Sequence, residues 1–454
     1  MWPRVIAAGV AIGLVYTLSP LTVWFAVGLV LILAWASTGL DTDERRLVTG
    51  LLVTAVVLRV LMVVGLFALT DRTRVPFGSF FGDEEYFIRR ALWLRNLALG
   101  VPIHGLDLES AFQTYNASSH LDLLALIQLL VGPAPYGLHL VGVLMYLSGA
   151  ILLYRLVRST LGRLPALIGF AVLLFLPSLF AWSVSVLKEP LFVLVSAMSV
   201  VAAVGMVEAP SWAGRAIRAG ALIVLAAVLE SIRQGGAVLS TASVLGGVLI
   251  GFVATKPRLM IAGLVALPIL VGAALSRPEV QFRAYVAVQN AARQHWGNVA
   301  VSPGYAYQLL DERFYPDLNQ ISDLGFGEAA RFVVRAVVAY IAVPLPWKAQ
   351  SPAALAYLPE QVVWYILALL VPVGLPFAFR RDPIVTGLLV SHALTIAAAV
   401  ALNGGNVGTL VRHRSLALPY LVWLSAVGAC QVLSHLRGGD TVRSGTPVTQ
   451  PATG

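Results

Sequence analysis

Uninterrupted apolar runs close to the thickness of a lipid bilayer return along the whole chain, and they limit the fold more than any other feature. They occupy 5–18, 20–37, 47–70, 137–157, 164–181, 188–206, 216–230, 235–254, 259–275, 360–379, 384–401 and 413–436. About 20 apolar residues cross the hydrocarbon core as a helix, and a helix satisfies its own backbone polar groups there. Only 12% of the 454 residues are charged, against about 25% in a soluble domain. The expected fold is an all-α polytopic membrane protein with about 12 transmembrane helices in one domain, 1–436.

Charge placement sets the orientation. With a cytoplasmic N-terminus, the basic stretches 41–46, 154–163, Arg215 with Arg218, 254–258, 379–382 and 435–439 all become short cytoplasmic loops, as the positive-inside rule requires. Two large segments, 71–136 and 276–359, then lie outside. The apolar stretches 120–131 and 331–346 are read as re-entrant or interfacial, because a full crossing by the second would move Arg380 and Arg381 outside. The first outer segment opens with a juxtamembrane helix near 84–99. Residues 437–454 are poor in large apolar side chains, with only Val442 and Val448, and are expected to be a disordered cytoplasmic tail. Ala34-Trp35-Ala36 imitates a signal cleavage site, but the apolar region before it is longer than the ~7–15 residues of a signal peptide.

The net charge of +9 is accounted for by these loops and does not call for nucleic acid. The single cysteine, Cys430, excludes an internal disulfide. No phosphate-binding glycine loop or dinucleotide fingerprint is present.

Chemistry-bearing residues gather outside. Asp83, Glu84 and Glu85, followed by Tyr86, form an acidic cluster in an acid-poor chain. Part of it is explained by the favourable placement of acids in the first turn of a helix and by the i,i+4 pair Glu85 and Arg89. In 403–415, a turn with Asn406 and three glycines precedes Arg412, His413 and Arg414. Arginine forks suit phosphate, while interfacial snorkelling is the structural alternative. Lys188 and Glu189 begin a span after Pro177 and Ser183; they read either as a neutralised pair at a helix start or as functional charges at the membrane face. Arg59 lies inside a span, and Glu230, Arg233 and Gln234 mark an outer edge. His104, His120 and His139 share no metal-ligand spacing. The sequon Asn116-Ala117-Ser118 is read as chance, and Asp311, Glu312, Asp317 and Asp323 as solvated surface.

An acidic motif in the first outer loop, followed by a juxtamembrane helix, resembles the GT-C superfamily of integral-membrane glycosyltransferases. The likeness is closest to the branch of protein O-mannosyltransferases and aminoarabinose lipid A transferases. Asp83-Glu84 match that family's loop acids, and 138–195, with Ser183 and Glu189, is similar to its central helices. The chain has no large C-terminal soluble domain and carries two passes before the motif, which depart from the family plan.

The resemblance implies a polyprenyl-phosphate-linked sugar donor, an acceptor that is a glycan, lipid or protein, and transfer outside a bacterial cytoplasmic membrane. In this reading Asp83 is the base, with Glu84 as a second catalytic acid. Arg412, Arg414, His413 and Lys188 hold the donor phosphate. Glu85, Tyr86, Ser183, Glu189 and Asn406 contact substrate, and a divalent cation, Mg or Mn, could sit on Asp83 and Glu84. Two alternatives stay open. One is a polysaccharide polymerase or ligase using Arg283, Arg293, His295 and Arg313 of the second outer segment. The other is a lipid-sugar flippase or transporter.

Overall fold

Proline and glycine set the helix boundaries. Among the described residues eight α-helices carry proline in their first two positions, where a missing N–H costs nothing. In the computed structural model the described residues are 2–71, 73–75, 82–112, 119–134, 136–302, 306–311, 313–315, 317, 321, 324–348 and 352–443. Asn116, Glu312, Asp323 and the tail beyond 443 lie outside them.

The helices run α1 (Trp2–Leu18), α2 (Pro20–Ser37), α3 (Thr42–Leu69), α4 (Gly82–Ala98), α5 (Gly105–Ala111), α6 (Ser119–Val131), α7 (Gly137–Thr160), α8 (Arg163–Phe175) and α9 (Pro177–Ser183). They continue with α10 (Glu189–Glu208), α11 (Trp212–Ile232), α12 (Gly236–Ala254), α13 (Pro257–Leu275), α14 (Pro278–Ala300), α15 (Phe326–Ala342), α16 (Pro352–Arg381), α17 (Pro383–Asn403) and α18 (Val407–Arg443). Among the described residues the only extended pairing is an isolated bridge between Ala306 and Asn406. The protein is a polytopic helical membrane protein.

The expected count of 12 spans is not what the helices give. Among the described residues nine are long and apolar enough to cross, or up to eleven if each of two bent pairs is one span. The pairs are α8 with α9, bent by 62°, and residues 261–275 with α14, bent by 91°. The remaining expected span, 5–18, falls in α1, whose 17 residues reach about 26 Å at 1.5 Å per residue. The stretches read as re-entrant or interfacial form α6, of 13 residues, and α15, of 17. The last helix also runs on to Arg443, seven residues into the expected tail, because 437–443 continue the helix begun at Val407.

Close helix packing builds the centre. A Cβ on Gly247 of α12 would lie 2.6 Å from the Leu388 Cα of α17, and one on Gly374 of α16 would lie 2.7 Å from the Gly428 backbone nitrogen of α18. Small residues let these backbones approach, which is how helices associate where lipid offers no hydrophobic drive. Trp423, Tyr420, Phe170 and Tyr154 are fully buried in the bundle.

One end of the bundle is tied by charge. Glu44, at the start of α3, is fully buried. It accepts 2.7 Å hydrogen bonds from Arg158 Nε and Nη2 and from the Tyr154 hydroxyl, both on α7. Arg163 pairs with Asp41 at 2.8 Å, and Arg381 donates to the Leu161 carbonyl. The starts of α3 and α8 and the ends of α7 and α16 therefore share one end. The start of α10 and the ends of α3 and α11 belong to the other.

Candidate functional site

The opposite end is organised around a break in the chain between α8 and α10. Pro177 has no N–H to continue α8, and Leu176 before it is extended (φ −61°, ψ 125°), as a residue preceding proline prefers. A broken helix leaves backbone groups without partners, and here side chains supply them. Tyr146 donates to the Leu173 carbonyl at 2.7 Å, and Arg59 Nη2 to the Leu174 carbonyl at 3.0 Å. Glu360 accepts from the Ser178 N–H at 2.8 Å. Arg59 is fully buried; it also donates from Nε to Ser183 Oγ at 2.7 Å, and its guanidinium lies 4.5 Å from the Phe180 ring centre. Ser183, expected at the substrate, is fully buried as part of this repair and donates to the Phe180 carbonyl at 2.6 Å.

The turn 184–188 that follows is clamped from three helices. His139 Nδ1 donates to the Val184 carbonyl and His120 Nε2 to the Val186 carbonyl, each at 2.9 Å; a carbonyl can only accept, which fixes the proton on those ring nitrogens. Glu84 Oε1 accepts from the Val186 N–H at 2.8 Å. All three side chains are buried. Desolvation lowers the His120 pKa below the usual range.

The acidic cluster at the start of α4 therefore divides. Glu84 turns inward and latches the turn. Glu85 pairs with Arg89 across one helical turn. Tyr86 accepts from Arg90 Nη1 at 2.9 Å. Asp83 remains 65% exposed and reaches Arg412 Nη1 at 2.7 Å.

The start of α18 divides in the same way. Asn406 is its N-cap, with Oδ1 accepting from the Gly408 N–H at 2.7 Å and Nδ2 donating to Ser302 Oγ at 2.7 Å. Successive helical residues point about 100° apart, so Arg412, His413 and Arg414 face three ways. Arg412 bridges Asp83 and Glu189, donating from Nε to Glu189 Oε1 at 2.7 Å. His413 Nε2 meets Arg233 Nη2 at 2.9 Å; a guanidinium only donates, so Nε2 is the acceptor. Arg414 is buried in a separate cluster, donating to Gln361 Oε1 at 3.0 Å and to the Tyr340 and Val343 carbonyls at 2.6 and 2.7 Å. It lines a cavity of about 10 Å³ with Ser178 and Glu360, which is room for about one water.

The structure thus joins Asp83, Lys188, Glu189, Arg412 and His413, adds Arg233, and sets Arg414, Ser183 and Asn406 apart. Lys188 stacks on Phe87, its ammonium 5.3 Å from the ring centre. Desolvation and then the Arg233 charge lower its pKa. Desolvation likewise lowers that of Arg233, with Arg412 adding to the effect and Glu189 opposing it. Three cations face two carboxylates here, so the cluster carries an excess positive charge. Glu189 Oε2 is buried and has no hydrogen-bond partner among the described residues.

Among the described residues no group of three His, Cys, Asp or Glu side chains is placed to hold a metal ion. Asp83 and Glu84 face different partners, so they do not form the carboxylate pair expected for a divalent cation. His295, a candidate of the second outer segment, instead binds the Gly404 carbonyl and accepts from the Leu309 N–H at 3.2 Å. Arg313 pairs with Asp311 at 2.7 Å, where hydrogen bonds from Arg313 hold that carboxyl at a pKa of about 2. Arg233 reads in the sequence only as an edge residue; its place in the cluster depends on its contact with His413, 180 positions away. No family profile, no curated protein and no solved structure matches the chain.

Proposed function

We propose that the chain is a membrane glycosyltransferase that moves a sugar from a polyprenyl-phosphate-linked donor to an acceptor outside a bacterial cytoplasmic membrane, with inversion at the anomeric carbon. The observation that supports this most is the excess of positive charge on Lys188, Arg233 and Arg412 beside the exposed carboxylate of Asp83. A lipid-linked phosphate must be met at the bilayer surface, and cations placed before it arrives stabilise charge on the leaving group without reorganisation.

In the resting site Arg412 is shared by Asp83 and Glu189. An incoming donor phosphate competes for the same guanidinium. Loosening of the Asp83–Arg412 pair then frees the Asp83 carboxylate for the acceptor. The acceptor hydroxyl gives its proton to Asp83 as its oxygen attacks the anomeric carbon. The bond from that carbon to the phosphate oxygen breaks, and polyprenyl phosphate leaves against Arg412 and Lys188.

The test is incubation of the purified protein with a panel of polyprenyl-phosphate sugars and candidate acceptors. Release of polyprenyl phosphate with transfer of sugar is the expected result. Movement of intact lipid-sugar across liposomes without turnover would replace this reading with a flippase. The polymerase or ligase reading draws less support, since His295 and Arg313 are engaged within the protein.

A further inference from the structure

A second cavity lies at the other end of the bundle, apart from the site above. It is a cleft of about 380 Å³ between the ends of α2 and α7 and the flank of α10, within the range of small-molecule pockets. Leu152, Arg155, Leu156 and Ser159 line it at i, i+3, i+4 and i+7, so one face of α7 forms its wall. Trp35 and Val201 close it from α2 and α10. The lining is apolar toward Leu152 and cationic toward Ser159, about 10 Å further along the helix axis. That is the polarity profile of a phospholipid, whose phosphate lies above its acyl chains.

The carbonyl ends of α2 and α7 face this region and would repel an anion. Arg155 offsets them: its Nη1 donates to the Trp35 and Thr38 carbonyls at 2.9 and 3.0 Å. Its Nε and Nη2 have no hydrogen-bond partner among the described residues, and nor does Arg158 Nη1, since Arg158 uses Nε and Nη2 for Glu44. These donors are a fork suited to phosphate oxygens.

We infer that this cleft binds an anionic phospholipid of the leaflet at the Glu44 end, with the lipid phosphate on Arg155 and Arg158 and the first acyl carbons on Leu152, Leu156 and Val201. The chemistry is that of a phosphate monoanion, and a free phosphate is distinguished from a lipid by the test.

The full chain is purified in detergent, offered equimolar phosphatidylglycerol and phosphatidylcholine, and the retained lipid is read by native mass spectrometry. Both lipids carry a phosphate, but choline neutralises it in phosphatidylcholine; the expected preference for phosphatidylglycerol is about fivefold, the worth of one basic residue near a net anionic headgroup. Arg155→Gln should abolish it. Ser159→Trp alters an exposed side chain at the cleft mouth, leaves the Arg155 contacts intact, and should also displace the lipid. Should Arg155→Gln fail to fold, Ser159→Trp alone decides. Equal retention of both lipids by the native chain, or a preference that survives Ser159→Trp, would overturn the assignment. Displacement of phosphatidylglycerol by millimolar inorganic phosphate would overturn the lipid in favour of a free anion.

Discussion

Removal of Glu84 should weaken the fold, whereas removal of its neighbour Asp83 should not. Glu84 is fully buried, and its carboxylate accepts from the Val186 N–H at 2.8 Å. A charge-assisted hydrogen bond is worth about 1.5–3 kcal/mol, and Glu84→Ala also leaves a buried N–H unpaired, so a loss of roughly 3 kcal/mol is expected. Asp83 is 65% exposed, and its pair with Arg412 contributes at most about 1 kcal/mol. Equilibrium unfolding in mixed detergent and SDS, followed by tryptophan fluorescence, measures both variants on one scale. Glu84→Gln keeps the acceptor oxygen and should fall between them. If Asp83→Ala costs as much as Glu84→Ala, or if Glu84→Ala costs nothing, the division of the acidic cluster into a latch and a reactive carboxylate is refuted.

Arg59→Met should destabilise by about 2–4 kcal/mol in the same unfolding assay, because the Leu174 carbonyl and Ser183 lose a buried charged donor; Arg59→Lys should not rescue it, since one ammonium cannot reproduce the fork. Lys188 has a pKa lowered by desolvation and neighbouring cations. Its protonated form is therefore penalised in the folded state: the cost is full below the folded pKa and is relieved as pH rises through it toward the unfolded value. Stability should rise over that alkaline window in the native protein and lose this component in Lys188→Met. The same shift should make Lys188 open to acylation at mildly alkaline pH, with protection by polyprenyl phosphate, read by peptide mass mapping. Arg412→Lys should lower turnover at least ~10-fold, because an ammonium lacks the planar fork that serves Asp83 and Glu189 together.

Much of the architecture is legible in local sequence. Bilayer-length apolar runs mark most spans, and Glu85 and Arg89 meet at the i,i+4 spacing that announces them, whereas 164–181 reads as one span although Pro177 breaks it. The span count is less legible, because a 17-residue apolar helix and a proline-bent pair look like spans to any window of composition. The site is legible as two acid and base clusters on one side of the membrane, but the partners are not. Glu84 looks like Asp83 in sequence, and what separates them is an N–H 102 residues away. The three-way split of Arg412, His413 and Arg414 follows from helical geometry once α18 is known to begin at Val407; read as a loop, the same residues look like one clamp. Arg59, His120 and His139 serve a broken helix, a need that exists only after the bundle has formed.

Asp83→Asn offers the most direct test of the proposed chemistry. The isosteric amide keeps an acceptor for Arg412 and removes the base. With purified protein, a turned-over polyprenyl-phosphate sugar and unfolding identical to the native chain, release of polyprenyl phosphate should fall by about 10²–10⁴-fold. Undiminished release from a normally folded Asp83→Asn protein would contradict the assignment of Asp83 as the base.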